Sequence, residues 1–185
     1  MDELPMVIGI SILTHNLFRV FPSSSVNAKI LHLLFSAYAI TVSVAYLYLQ
    51  NPVFHQLCFA ALGILMAGMM PFQIARLRKM KRVTTGQIKN LQRVYGLSVG
   101  SILVGFSLWL FENVFCAHLR DMKKSIGRPA NIILEFHVLW HYLSVLSVYS
   151  ATVCVEYMTV LAEGRIDSVV QWGGVFVVSL TSKKI

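Results

Sequence analysis

Long apolar stretches separated by short polar intervals dominate the pattern of this chain. Five are legible: residues 4–21, 26–49, 53–75, 94–116 and 130–162. Residues 30–49 carry no charge, and about 20 such residues on a helix cross the hydrocarbon core of a bilayer. The first stretch is just long enough, with His15, Asn16 and Arg19 at its far end. Pro5 suits the first turn of a helix, where its missing N–H is not needed. Asp2 and Glu3 then precede a helix start, where negative charge is favoured. Phe21-Pro22-Ser23-Ser24-Ser25 predicts a turn, Gln50-Asn51-Pro52 a helix break, and Pro71 a kink near the end of the third stretch. Gly96, Gly100 and Gly105 predict a small-residue surface for close helix approach. Residues 117–129 read as a polar loop. The pattern predicts an all-α fold, a polytopic transmembrane helix bundle of five spans.

Composition strengthens that picture. The chain has 185 residues, 56% hydrophobic and 13% charged, with mean hydropathy +0.67. Soluble domains carry about 25% charged residues. The net charge of +8 is concentrated: seven Lys or Arg fall between Arg76 and Arg93 with no acid among them. Beside a span, such a loop belongs in the cytosol under the positive-inside bias. It lacks the soluble setting and stacking aromatics of a nucleic-acid surface, so no nucleic-acid partner is expected. No basic leader with a cleavage site precedes the first stretch. With 76–93 cytosolic, five spans put Asp2, Glu112, His137 and His141 near one membrane face, the lumenal one, on three different helices.

The candidate chemistry centres on Glu135-Phe136-His137-Val138-Leu139-Trp140-His141. Two histidines four apart share one helix face, and such a pair can bind one zinc ion. Two interfacial histidines packed in a bundle have the same spacing, so spacing alone does not choose. Ionisable groups in a bilayer tend to face the protein interior and to serve a function. Glu112, near the end of the fourth stretch, should therefore pair or line a polar cavity. His55 reads as a hydrogen-bonded structural residue. Tyr38, Tyr46 and Tyr48 read as packing or interface aromatics. Cys58 and Cys154 lie within apolar runs, Cys116 at the end of one, and the odd count leaves at least one thiol unpaired within the chain.

Three patches in order resemble the alkaline ceramidase family, seven-span zinc amidases that cleave ceramides. They are Asp2-Glu3-Leu4-Pro5-Met6; Leu108-Trp109-Leu110-Phe111-Glu112-Asn113-Val114-Phe115-Cys116, like the family's Trp-x-x-Asp-x-x-x-Cys; and Phe136-His137-Val138-Leu139-Trp140-His141, like its Phe-His-x-x-Trp-His. Asn51-Pro52-Val53-Phe54-His55-Gln56 is similar as well. The resemblance covers residues 1–163, leaving 164–185 as a C-terminal tail, cytosolic or interfacial. It implies that His137 and His141 are zinc ligands and that Asp2 is an acid beside the zinc serving in proton transfer. It also implies that Cys116 pairs with a cysteine from the family's N-terminal region. Glu112 stands where the family has Asp.

Family members carry two further spans before the Asp-Glu-Leu-Pro stretch, with a Ser-x-x-x-His element supplying the third histidine ligand and a reacting-centre serine. An acidic calcium-binding segment precedes those spans. The chain therefore resembles spans three to seven of a seven-helix membrane hydrolase. The resemblance implies hydrolysis of ceramide to a sphingoid base and a fatty acid, with Zn2+ as cofactor, no Ca2+ site in this chain, and low or no activity of the chain as given. Ceramide and membrane lipid are the expected partners, in the endoplasmic reticulum or Golgi. The alternatives are a non-catalytic membrane protein that binds lipid or a full-length homologue, and a related seven-span receptor-like hydrolase, which the Asp-Glu-Leu-Pro and Glu-Asn-x-Phe-Cys patches disfavour. Lys183-Lys184-Ile185 puts Lys at only one of the positions of a dilysine retrieval signal.

Overall fold

Capping chemistry sets several helix ends. In the computed structural model, which describes residues 4–21, 27–127, 134–164, 168–173 and 177–182, the Asn27 side chain accepts from Lys29 N and opens one helix. Asn51 accepts from Val53 N and Phe54 N and opens the next, with Pro52 in its first turn. Between them Gln50 takes the left-handed conformation (φ 49°), so Gln50-Asn51-Pro52 is the break that the sequence predicts. Thr84 and Gln87 form a reciprocal capping box: Gln87 Oε1 accepts from Thr84 N (2.9 Å) and Thr84 Oγ1 from Gln87 N (3.3 Å).

The described residues form α1 (Leu4–Arg19), α2 (Ala28–Leu49), α3 (Pro52–Arg78), α4 (Thr85–Val114), α5 (Cys116–Ile126) and α6 (Phe136–Ala162). Antiparallel strands β1 (Ser168–Gly173) and β2 (Val177–Ser182) follow, pairing Ser168 with Ser182 and Gly173 with Val177. The five apolar stretches become α1, α2, α3, α4 and α6. Among the described residues, α2, α3, α4 and α6 are long and apolar enough to cross a membrane. The 16 residues of α1 rise about 24 Å, short of a hydrocarbon core of about 30 Å.

Two expectations need correction. The segment 117–129 is not a loop throughout, because α5 occupies 116–126. Leu119, Met122 and Ile126 recur at helical spacing among charged residues, and Leu119 is buried. The basic interval 76–93 is mostly helix: α3 runs on through Pro71 to Arg78 and α4 begins at Thr85. Within the tail 164–185, the described residues add the antiparallel strand pair, in keeping with its Val-rich runs.

The chain forms two compact units, residues 1–93 with 152–185, and residues 94–151. In the first, α1 buries Val7, Ile10, Leu13 and Leu17. Gln73 Nε2 of α3 donates to Leu17 O (3.3 Å), and the Phe18 and Phe35 rings meet at 5.8 Å. Tyr38 O–H donates to Cys58 O (2.8 Å) and tethers α2 to α3. In the second, α4 and α6 meet along a seam where Ser98 Oγ donates to Ser147 O (2.9 Å). At Gly105 an added Cβ would lie 3.0 Å from Leu143 Cβ and 3.2 Å from Trp140 Cε3. Gly96 and Gly100 face open space, so close approach belongs to Gly105 alone of the three.

Candidate metal centre

The start of α6 carries the histidine pair. Glu135 O accepts from Val138 N, and the helix is regular from Phe136 onward. Its rotation about its own axis is set by aromatic packing. Phe136 meets the Phe111 ring edge-on at 5.7 Å, and Trp140 meets Phe106 at 6.2 Å and Trp109 at 6.4 Å. Each residue advances about 100° around a helix. With Phe136 and Trp140 held against α4, His137 and His141 therefore project from an adjoining flank. His137 is exposed and His141 half-buried.

On that flank the two Nε2 atoms lie 2.9 Å apart, with ring centroids at 4.6 Å and planes at 80°. The contact is a hydrogen bond only if one Nε2 donates and the other accepts, so the two rings cannot both carry a proton there. Two Zn–N bonds of about 2.0–2.1 Å at a tetrahedral angle separate the nitrogens by about 3.3 Å. Small side-chain rotations open the pair to that distance, so the residues present fit two coordination positions. Among the described residues, no group of three His, Cys, Asp or Glu side chains is placed to hold a metal ion. Asp2 lies outside the described residues.

Glu112 is partnered, as its depth requires. Lys123 Nζ of α5 lies 3.5 Å from Glu112 Oε1 and 3.1 Å from Glu135 Oε2. The cation clips the last turn of α4 and the residue before α6 to α5. Burial lowers the affinity of the Lys123 ammonium for its proton. The hydrogen bond and charge of Glu135, then the charge and hydrogen bond of Glu112, outweigh that, and the net shift is upward. Glu112 is thus joined to Glu135 rather than completing a metal triad with the histidines. Sequence reasoning missed Lys123 because it treated α5 as loop; the opposite charges of Lys123 and Glu112 were the available signal.

His55 is buried with its ring 4.9 Å from that of Tyr46. Cys58, Cys116 and Cys154 are free thiols, with Cys116 exposed and Arg120 Nη2 3.6 Å from its sulfur.

A polytopic helical membrane protein with a histidine pair one turn apart at a helix start is a narrow class. The model of the Ceramidase family matches residues 1–181. The chain is 33% identical over 150 residues to "Alkaline ceramidase 3" of Mus musculus, an alignment that covers 80% of this chain and 52% of that protein. It is 23% identical over 176 residues to "Alkaline ceramidase YPC1" of Saccharomyces cerevisiae, covering 87% and 54% respectively. This chain belongs to the ceramidase family, and it spans about half the length of the curated relatives it matches.

Proposed function

We propose that the chain carries two ligands of a membrane-embedded zinc amidase that hydrolyses ceramide to a sphingoid base and a fatty acid. The supporting observation is the convergence of the His137 and His141 Nε2 atoms on one flank of α6 in a member of the ceramidase family. His137 and His141 would hold the zinc. When bound, zinc supplies Lewis acidity toward the amide carbonyl and acidifies coordinated water. Asp2 takes a proton from the attacking water and delivers it to the amide nitrogen as the C–N bond breaks. The water oxygen stays on the acyl carbon, giving the fatty acid. The exposed apolar surfaces of α2 and α3 lie among lipid, where the acyl chain and sphingoid base reside. Membranes of the endoplasmic reticulum or Golgi are the proposed setting.

A catalytic zinc generally has three protein ligands, and the described residues bring two together. That favours a second reading, in which the 185-residue chain is not itself catalytic and acts by binding lipid or a full-length homologue. Zinc content and ceramide hydrolysis of the purified chain separate these readings. Under the amidase reading, the chain binds zinc and His137→Ala or His141→Ala each abolishes binding, even where hydrolysis is too slow to detect. Zinc retained by both variants overturns the ligand pair. A chain that binds no zinc and co-purifies with a longer homologue establishes the second reading.

A further inference from the structure

The helix ends at the basic interval enclose a feature that the proposed amidase chemistry does not use. Arg78 from the end of α3, Val83 from the connection, and Thr85, Ile88, Lys89 and Gln92 from the first two turns of α4 line a cleft of about 140 Å3. That is the space of roughly four or five water molecules in the liquid, enough for one phosphate group. Ile88 is buried and forms apolar floor, while Arg78 and Lys89 are exposed cations from two different helices. Neither has a carboxylate partner among the described residues. Of the other five cations of the interval, Arg76 lies over the Phe21 ring at 4.6 Å and Arg82 Nη1 lies beside Gly164.

The height of the cleft follows from helix length. The 30 residues of α4 rise about 45 Å, against a hydrocarbon core of about 30 Å. The surplus falls at the N-terminal end, where Lys89 and Arg93 lie, so the first two turns stand in the headgroup layer. Positive-inside topology asks only for charge on this side of the membrane. It does not require two cations from different helices to converge on a cleft with an apolar floor.

We propose that this cleft binds the phosphomonoester headgroup of an anionic phospholipid in the adjoining leaflet. Arg78 and Lys89 take the phosphate oxygens, and Val83 and Ile88 lie beside the glycerol end. A phosphomonoester suits paired cations because it carries between one and two negative charges near neutral pH. A lipid source follows from the headgroup height of the cleft.

The test is native mass spectrometry of the full chain from micelles doped in turn with phosphatidic acid, phosphatidylserine or phosphatidylcholine. Removing two basic contacts at a membrane surface lowers binding about 30-fold. The double variant Arg78→Gln/Lys89→Gln should therefore lose phosphatidic acid by about that factor. Lys79→Gln/Lys81→Gln removes the same charge outside the cleft and should retain the lipid. Both pairs are exposed, and unchanged circular dichroism shows that the variants fold. Equal loss in the two double variants overturns the site in favour of diffuse attraction. Equal retention of phosphatidylserine overturns the phosphomonoester assignment, full displacement by inorganic phosphate overturns the lipid source, and no retained lipid overturns the proposal.

Discussion

Replacing Gly105 by Ala adds one methyl group at the closest approach of α4 and α6. That methyl would stand 3.0 Å from Leu143 Cβ and 3.2 Å from Trp140 Cε3. Carbon atoms rest about 3.5–4.0 Å apart. Leu143 Cβ is bonded to the main chain and cannot swing aside, and Trp140 is buried against Phe106 and Trp109. Relief requires the helices to part, and overpacking of this kind costs about 1–3 kcal/mol. Ala in a helix interior gains about 0.8–1 kcal/mol over Gly. Gly100→Ala, in the same helix with nothing within 4 Å, receives that gain alone. The two variants share composition and unfolded-state effects, so their difference isolates the clash. Gly105→Ala should be less stable than Gly100→Ala by about 1–3 kcal/mol, read from denaturant titration in mixed micelles by circular dichroism. Equal or greater stability of Gly105→Ala would show that the helices do not meet at this residue.

Other outcomes follow from single contacts. Lys123→Met removes two ion pairs, each worth about 0.2–1 kcal/mol when partly exposed. The loss should lie toward the upper end, because Glu112 Oε2 is buried with no hydrogen-bond partner among the described residues to share its charge. Lys123 is held above its ordinary value of 10.5, so its contribution is whole below that pH and fades as pH rises through the raised folded value. The stability difference between the native chain and Lys123→Met should stay flat from neutral pH to about 10 and shrink beyond it. A difference that shrinks on acidification down to pH 6 would contradict that assignment. Thr84→Ala opens the capping box of α4 and should cost about 1 kcal/mol, with faster amide exchange confined to the first turn. Tyr38→Phe deletes the hydroxyl bonded to Cys58 O. It should cost about 0.5–1.5 kcal/mol, measured by the same titration.

Much of the architecture was legible because bilayer-length apolar runs and their breakers are local properties. The charge-free run 30–49, the Gln50-Asn51-Pro52 break and the i, i+4 spacing of His137 and His141 needed no partner to be read. Helix pitch places the two imidazoles one turn apart on one face; their 2.9 Å contact is made by the side-chain rotamers. Other features depend on which elements come together. Nothing local distinguishes Gly105 from Gly96 or Gly100; only the position of Leu143 and Trp140 does. The pairing of Glu112 with Lys123 needed α5 to exist, and the polar, charge-rich composition of that short segment read as a loop despite its helical spacing of apolar residues. The flank on which the histidines stand was likewise decided by Phe136 and Trp140 meeting aromatic rings of α4, not by the histidines. Local sequence specifies helix and spacing because hydrogen bonds close within a turn. Rotation, close approach and charge pairing are set between elements distant along the chain, and only tertiary packing chooses among the alternatives.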